Sequence, residues 1–388
     1  MTGRTAVIAG GGIGGLAAGV ALARQGWQVE ICERAPRLTA VGAALTLWPN
    51  ALKALAALGL AGRVREAGTV ETGGGLRDRA GRWLARTDNA VLEERFGAPV
   101  IVLHRADLIR ILADALPDGA LRPATVITGV RAGGGAAVAE YDGGALRADL
   151  VIGADGLNST VRRAVWPSAA PPRYAGFTAW RMVTEPLPGR LAGGGVTWGR
   201  GEEFGFTSMG GGRVYCFGAA VTAEGGAAPG GELDEVRRRF GTWPDPIPAL
   251  LDAVPEDGVL RHDVYRLPPL PGYVRGRTVL LGDAAHAMTP SLGQGGCQAL
   301  EDAVVLGACL GRGAVDSPAG LDAALARYDR LRRPRTQWVA RRSARMGAAA
   351  TWTWPPAVMA RDLGARLLPT SLVLRAMKPL LGWTPDVP

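Results

Sequence analysis

The sequence predicts an α/β fold with an inserted, mostly antiparallel β-sheet and a helical C-terminal part. The stretch from Thr5 to Arg34 has the pattern of strand, glycine loop, helix and second strand, which is how a parallel α/β sheet begins. Between Tyr174 and Tyr265, short alternating segments separated by glycine pairs predict antiparallel strands. From Gln298 onward the apolar spacing is helical.

The opening unit carries a dinucleotide-binding pattern. Ala6–Ala9 predicts a buried strand, and Gly10, Gly12 and Gly15 follow it in G-x-G-x-x-G spacing. The first glycine allows a tight turn, the second admits a pyrophosphate close to the backbone, and the third lets the helix pack on the strand. Glu33 follows about twenty residues later, where a carboxylate accepts hydrogen bonds from an adenosine ribose. The alternative is a glycine-rich turn that binds nothing.

The composition is that of an ordinary globular protein. The 388 residues, 47% hydrophobic and 20% charged, suffice for two domains or for one large domain with an insertion. The net charge of +9 comes from scattered arginines without interleaved aromatics, so nucleic acid is not an expected partner. Dispersed cysteines and histidines predict no metal site and reduced thiols in the cytoplasm. No apolar run is long enough to predict a membrane span.

Periodicity and turn residues locate the other elements. Helices are expected at Ala51–Leu58, Leu108–Leu116, Leu233–Phe240 and from Leu321 to Gly347, and a β-meander over Val64–Phe96. Strands are expected at Ala124–Val130, Ala136–Tyr141, Leu150–Gly153 and Thr278–Leu281. The inserted sheet should contain Thr178–Val183, Val196–Trp198, Phe204–Met209 and Val214–Val221.

Two later motifs carry chemistry. In residues 153–162, GADGLNSTVR, a strand leads through an Asp-Gly turn into a helix capped by Asn158 or Ser159. In residues 282–296 a buried strand ends at Gly282-Asp283, where a carboxylate can bind the hydroxyls of a polyol chain. Pro290 then bends the loop, and Gly293-Gln294-Gly295-Gly296 opens a helix whose N–H groups can face an electron-accepting ring.

The three motifs, in this order and at this spacing, resemble the single-component (group A), para-hydroxybenzoate hydroxylase-like flavoprotein monooxygenases. Arg105, in H-R-A-D-L, matches that family's arginine that reaches the flavin pyrophosphate. The resemblance covers nearly the whole chain. Trp180-Arg181 and the G-Q-G-G-C-Q-A-L-E-D-A run are similar to the branch with urate hydroxylase-like, 6-hydroxynicotinate 3-monooxygenase-like and zeaxanthin epoxidase-like members.

The resemblance implies non-covalently bound FAD. Glu33 should bind the adenosine ribose and Asp283 the ribityl chain, Ala43 to Leu45 should lie along the isoalloxazine, and Pro290 with residues 293–296 should shape its reactive side. The implied cofactor residues are Gly10, Gly12, Ile13, Gly14, Gly15, Glu33, Arg34, Ala44, Leu45, Arg105, Val126, Asp155, Asp283, Pro290, Gly293, Gly295 and Gly296.

The same resemblance implies a divided architecture. Residues 1–72, 97–172 and 266–347 should form a Rossmann-like (GR2-type) FAD-binding domain. Residues 73–96 and 173–265 should form the inserted substrate-binding sheet, and residues 348–388 a helical tail packed on the body. We expect a monomer or a homodimer.

The implied reaction uses NADPH or NADH, bound transiently, and O2 to form a flavin C4a-hydroperoxide. Water would release hydrogen peroxide from this species, so the site must be kept dry. The electrophilic distal oxygen suits an electron-rich aromatic or heteroaromatic small molecule. Some urate-hydroxylating relatives carry an acid where this chain has Ser291, which argues against urate.

Substrate residues are inferred from strand alternation. Tyr215 and Phe217 share one face of a strand, as do Phe204 and Phe206 on theirs, and together with Arg181 they could line an aromatic pocket. The alternative is that these aromatics are core. Arg181, Tyr215 and Pro290 are the candidate catalytic residues, with Tyr215 or His262 as a general base.

Four other functions share this fold. A flavin halogenase has a W-x-W-x-I-P motif, but Trp352-Thr353-Trp354-Pro355-Pro356 lies at the wrong end of the chain and lacks the isoleucine. A flavin epoxidase or reductase fits the same motifs. A non-catalytic binding protein on the same scaffold is disfavoured because Glu33, Arg105 and Asp283 are intact.

Overall fold

The computed structural model describes residues 4–38, 44–133, 135–189, 191, 193–311, 313 and 315–385. Ala43, expected along the flavin ring, lies outside these ranges. The first part of the chain contains β1 (Thr5–Ala9), α1 (Ile13–Arg24), β2 (Gln28–Cys32), β3 (Ala44–Leu47), α2 (Pro49–Ala57), α3 (Ala61–Ala67), β4 (Thr69–Val70), β5 (Gly73–Arg77), β6 (Trp83–Asp88) and α4 (Asn89–Phe96).

The elements that follow complete the first half of the chain. They are β7 (Ile101–His104), α5 (Arg105–Ala113), β8 (Leu121–Arg122), β9 (Ile127–Gly133), β10 (Ala136–Tyr141), β11 (Gly144–Ala148), β12 (Leu150–Gly153) and α6 (Thr160–Val165). The inserted region contains β13 (Arg173–Val183), β14 (Gly195–Trp198), β15 (Glu202–Ser208), β16 (Val214–Val221), α7 (Glu232–Phe240), α8 (Ile247–Asp252) and β17 (Val259–Arg266).

The last part is mostly helical. It contains β18 (Val274–Arg275), β19 (Thr278–Leu280), α9 (Asp283–His286), a 3₁₀ turn (Pro290–Leu292), α10 (Gly295–Cys309), α11 (Pro318–Ala350), α12 (Pro355–Leu367) and α13 (Thr370–Leu381). No helix among the described residues is both long enough and apolar enough to cross a membrane.

A six-stranded sheet forms the framework, in the order β18-β19-β12-β1-β2-β8. β1 pairs in parallel with β2 and β12, and β12 pairs in parallel with β19. Parallel strands end at the same edge, so the loops after β1, β12 and β19 lie side by side. These loops contain the three sequence motifs, which are far apart in the chain.

A seven-stranded sheet, in the order β17-β13-β16-β15-β14-β5-β6, forms the second layer. It is antiparallel except for the parallel contact of β14 with β5. One face is covered by α7 and α8, with Trp180, Phe204 and Phe240 among the buried residues between them. The opposite face is turned toward the loops of the six-stranded sheet. β5 and β6, which lie within residues 73–96, belong to this sheet, and the division into two domains stays a prediction.

The prediction of a β-meander over Val64–Phe96 is wrong in part. The segment contains short strands, but α3 and α4 flank them. Asp88 caps α4 by accepting a hydrogen bond from the Ala90 N–H, and Gly97 ends the helix in the left-handed conformation (φ +77°). Leu92 and Phe96 are buried on one side of α4, and this helical spacing was masked by the surrounding turn residues.

The C-terminal helices pack on the rest of the molecule. α10 packs on α1 and α2, and α11 packs on α10. α12 and α13 contact β6, and Arg361 of α12 donates hydrogen bonds to the carbonyl oxygens of Ala349 and Gly199 at 3.1 and 3.0 Å. Arg361 therefore connects the C-terminal tail by hydrogen bonds to α11 and to the turn after β14.

Candidate active site

A cavity of about 530 Å³ lies between the seven-stranded sheet and the motif loops. On the loop side it is lined by Ile13, Ala44–Leu47, Arg105, Asp283, Met288–Ser291 and Gly293–Cys297, and Met346 of α11 closes one part. On the sheet side it is lined by Gly75, Leu76, Ala179, Arg181, Val196, Trp198, Glu203, Tyr215, Phe217 and Ala219. Its size is typical of a small-molecule site.

The first glycines have the geometry that nucleotide binding requires. Gly10 has φ +106°, and a Cβ there would lie 2.5 Å from the Ala154 carbonyl oxygen. A Cβ on Gly15 would meet the Gly10 carbonyl oxygen at 1.9 Å, and one on Gly14 would meet Leu281 at 2.7 Å. A Cβ on Gly12, the N-cap of α1, would meet nothing within 4 Å. This open space at a helix N-terminus suits a phosphate group.

Glu33 lies at the end of β2, beside the glycine loop. Its Oε2 accepts a hydrogen bond from the Gly11 N–H at 2.6 Å, and its Oε1 accepts one from the Ala35 N–H at 2.8 Å. The backbone carbonyl of Glu33 accepts a hydrogen bond from the Thr125 N–H at 2.9 Å. The neighbouring Val126 and Arg34 are exposed and do not line the cavity.

Three charged residues from three elements converge on the cavity. Arg105 begins α5, Asp283 begins α9, and Arg181 lies on β13. Burial lowers the pKa of Arg105, and Arg181 adds to this effect while the Asp283 carboxylate opposes it. An anionic group placed here would find two guanidinium groups.

Asp155 follows β12 and organises the second motif loop. Its Oδ2 accepts hydrogen bonds from the Thr160 and Val161 N–H groups at 2.7 and 3.1 Å. Its Oδ1 is buried and has no partner among the described residues. Of the two expected caps of α6, Ser159 fills the role: its Oγ accepts a hydrogen bond from the Arg162 N–H at 2.8 Å.

The loop before α10 leaves room for a flat ring system. Pro290 begins the 3₁₀ turn, and Gly293 has φ +61°, where a Cβ would lie 2.9 Å from the Trp48 Nε1. A Cβ on Gly295 would meet nothing within 4 Å. Buried nitrogen atoms of Trp48 and Gln294 have no hydrogen-bond partner within the described ranges. Open space beside unpaired donors fits the bound cofactor that the sequence predicts.

A buried charge network supports this loop from behind. Arg332 of α11 contacts Glu301 and Asp302 of α10, each at 2.6 Å. Burial alone would raise the pKa of Asp302, but His286 and Arg332 outweigh it and lower that pKa to about 2. Asp302 also accepts a hydrogen bond from the Gly282 N–H at 2.9 Å. The network thus fixes the backbone just before Asp283.

A second branch of the network holds the glycine turn. Asn50 of α2 donates hydrogen bonds to Oε1 of Gln294 at 3.0 Å and to Oε1 of Glu301 at 2.7 Å. Asn50, Gln294 and Glu301 are all fully buried. None of the sequence motifs predicts this network. The available signal was that Glu301, Asp302 and Arg332 occupy helical positions where apolar residues are expected, which indicates a buried charge network.

The prediction for the substrate aromatics is half wrong. Tyr215 and Phe217 line the cavity, together with Arg181. Phe204 and Phe206 point to the other face of the sheet, where both are buried and the ring of Phe204 packs on Phe240 at 5.3 Å. They are core residues. Side chains alternate along β15, so Phe204 and Phe206 lie on the face away from Gly205, which pairs with the cavity residue Phe217.

The two candidate general bases have shifted pKa values. Burial raises the pKa of Tyr215, and Arg181 partly offsets this rise. Partial desolvation also lowers the pKa of His262, although its side chain is on the surface, and the charge of Arg181 adds to that effect. His262 is exposed and does not line the cavity, so Tyr215 is the better placed of the two candidate bases.

Glu203, which was not predicted from the sequence, lines the cavity from β15. Its Oε2 accepts a hydrogen bond from the Trp198 Nε1 at 3.1 Å. Burial raises the pKa of Glu203 to about 7, although Trp198 and Arg361 act in the opposite direction. The available signal was the Glu-Phe-Gly-Phe alternation, since burying both phenylalanines turns the preceding glutamate to the cavity face.

The fold and the site define an FAD-dependent enzyme. The chain matches the FAD binding domain family over residues 4–178 and 270–343 and belongs to that family. The matched ranges contain all three motif loops and both halves of the charge network. The protein is a flavoprotein monooxygenase, and this class uses O2 and NAD(P)H.

Similar proteins agree on this class. The chain is 39% identical over 386 residues to the aurachin C monooxygenase/isomerase of Stigmatella aurantiaca, covering 99% of each chain. It is 36% identical to the 3-amino-4-hydroxybenzoate 2-monooxygenase of Streptomyces cremeus, over 88% of this chain and 86% of that protein. The structure of Klebsiella pneumoniae HpxO complexed with FAD and uric acid is similar, with TM-score 0.89 and 28% identity over 97% of this chain and 96% of that one.

Proposed function

We propose that this monooxygenase hydroxylates an electron-rich aromatic or heteroaromatic small molecule. The observation that carries the proposal is the cavity itself, which is lined by Tyr215 and Phe217 on its sheet side and by the glycine turn of residues 293–296 on its loop side. A ring held between these two surfaces would lie against the cofactor. Aromatic walls with a few polar groups suit such a substrate.

The FAD would extend from the first motif to the last. Gly12 and the N-terminus of α1 would bind the pyrophosphate, and Glu33 the adenosine ribose, with Arg34 and Val126 at that end. Arg105 would neutralise phosphate charge, and Asp283 would accept hydrogen bonds from ribityl hydroxyls. Ala44, Leu45 and the turn after Pro290 would border the isoalloxazine. When bound and reduced, the cofactor would activate O2 for transfer of one oxygen atom to the substrate.

The chain's own residues would orient the substrate and exclude water. Arg181 would bind an anionic or carbonyl group of the substrate, and Tyr215 would hydrogen-bond a ring hydroxyl. Phe217, Ala179 and Ala219 present apolar surface to the ring. We further propose that the protein acts in the cytoplasm, as a monomer or a homodimer.

The test is substrate-stimulated NAD(P)H oxidation with O2 uptake, across phenolic, aminophenolic and N-heteroaromatic compounds. We expect at least one of them to raise the oxidation rate and to gain one oxygen atom. Uric acid should not, because Ser291 stands where the acid of urate-hydroxylating relatives is expected. NMR spectra of the product separate a ring hydroxyl from an epoxide or a rearranged ring. A panel without any stimulating aromatic would contradict the proposal.

A further inference from the structure

Glu203 places a carboxyl group on the wall of the cavity. Its side chain is on the cavity face of β15, and the residue is 9% exposed. The preceding Glu202 points to the other face and pairs with Arg239 at 2.8 Å. Two adjacent glutamates therefore have opposite environments: one forms an ion pair near the surface, and the other faces the site.

Protein groups satisfy only part of this carboxyl group. Oε2 accepts a hydrogen bond from the Trp198 indole, whereas no hydrogen bond reaches Oε1 from the described part of the chain. The guanidinium of Arg361 stacks over the Trp198 ring at 4.8 Å and donates to the Gly199 carbonyl, and it forms no ion pair with Glu203. Oε1 is not one of the fully buried unpaired atoms of the described residues; it opens on the cavity, where water or a ligand can donate a hydrogen bond to it.

Glu203 and Arg181 lie at opposite corners of the cavity floor. Strand register aligns Glu203 with Ala219 and Ala179, and Arg181 lies two residues further along β13. With ~4.8 Å between strands and ~3.4 Å per residue, the two Cα atoms are about 12 Å apart. Phe217 lies between them. The floor thus offers a hydrogen-bond donor at one corner, an acceptor at the other, and an aromatic surface between.

We propose that Glu203 is a specificity-determining residue that accepts a hydrogen bond from an N–H or O–H group of the substrate, at the end opposite to Arg181. The substrate class is then narrower: an aromatic ring with an acceptor or anionic group at one end and a donor group at the other. This inference rests on the proposed function, because it assigns the substrate's orientation in the same cavity.

The test uses two pairs of probes that differ only in the donor. 4-Aminobenzoate is compared with 4-methylbenzoate, and 6-amino-2-naphthoate with 6-methyl-2-naphthoate, so that two lengths are covered. Dissociation constants for the FAD-loaded protein are measured by calorimetry, which does not require turnover. In at least one pair, the wild type should bind the amino compound about tenfold more tightly, the effect of one charge-assisted hydrogen bond.

Variants separate this role from a structural one. Glu203→Met should abolish the amino preference, and Glu203→Gln should reduce it, while Glu202→Gln should retain it. From pH 6 to 8 the wild-type preference should grow as Glu203 ionises, and in Glu203→Gln it should stay constant. Equal binding of both members of both pairs, or an unchanged preference in Glu203→Met, overturns the proposal. Selective binding without stimulated NAD(P)H oxidation contradicts the hydroxylase function alone.

Discussion

The Phe217 ring occupies space that only a glycine leaves free. A Cβ on Gly205 would lie 2.2 Å from Cε1 of Phe217, so the ring lies flat over this glycine on the neighbouring strand. An aromatic ring over a glycine also stabilises a strand that lacks a side chain of its own. The depth of the cavity at this point thus depends on the absence of one methyl group.

Gly205→Ala should push the Phe217 ring into the cavity. We expect tenfold or weaker binding of the best aromatic ligand and a loss of about 1–3 kcal/mol in the free energy of unfolding. Calorimetry and urea denaturation measure the two effects. Gly62→Ala is the control, because a Cβ there would meet nothing within 4 Å. Wild-type binding in Gly205→Ala would show that the ring can move elsewhere.

The environment of Glu203 should make stability depend on pH. Burial raises its pKa from 4.5 to about 7 in the folded protein, so the folded state favours the protonated form. The stability that the folded protein gains from protonated Glu203 is fully present below pH 4.5 and is lost as the pH rises through 7. Between pH 4.5 and 8, the free energy of unfolding of Glu203→Gln should therefore rise by about 3 kcal/mol relative to that of the wild type, at ~1.4 kcal/mol per pKa unit. Denaturation curves at several pH values measure this difference, and parallel curves would contradict it.

At the scale of elements, α10 and α11 are joined by charge rather than by apolar packing alone. Arg332 is 1% exposed and contacts two carboxylates that are fully buried. Removing one member of such a group leaves uncompensated charge, which costs far more than losing an exposed ion pair. The network also holds the loop that presents Asp283.

Arg332→Met should lose about 3–5 kcal/mol in the free energy of unfolding and part of its FAD. The matched control is Arg333→Met on the next residue, whose ion pair with Asp329 at 3.0 Å is partly exposed. That variant should lose no more than about 1 kcal/mol. Urea denaturation and the flavin absorbance of the purified proteins are the measurements. Equal losses in the two variants would contradict a special role for the buried network.

Sequence reasoning predicted the elements whose pattern is local. β1, α1, β2 and the strands of the insertion followed from periodicity and glycine spacing. α4 could not be predicted this way, because its apolar side consists of Leu92 and Phe96 only, among turn residues. The sequence also did not determine which face of β15 points to the protein interior. Alternation grouped Phe204 with Phe206 correctly, but only the packing of α7 shows which face is the interior.

At the scale of the whole molecule, the cofactor site is assembled from distant parts of the chain. The loops after β1 and β12 come from the first half, and the loop after β19 follows the entire inserted sheet. Sequence motifs identified these loops one by one. Their proximity depends on the parallel register of three strands, which a resemblance implies but local pattern does not.

Asp283→Ala should weaken FAD retention, because this carboxylate would bind the ribityl chain beside Arg105. We expect a lower flavin-to-protein ratio after purification and a smaller rise in Tm on adding FAD. Asp252→Ala, at the exposed end of α8, is the control and should retain wild-type flavin content. An unchanged ratio in Asp283→Ala would show that FAD binding does not depend on Asp283.

The position of β19 also affects how the protein is made. A ribosome releases β1, β2, β5, β6 and β12 first, then the other strands of the seven-stranded sheet, and only afterwards β19, α10 and α11. Because domains fold as their segments emerge, the nascent chain must keep one edge of β12 unoccupied until β19 arrives. Prematurely terminated chains would lack the last flavin loop. The yellow colour of bound flavin would then show that a purified preparation contains chains extending through α10.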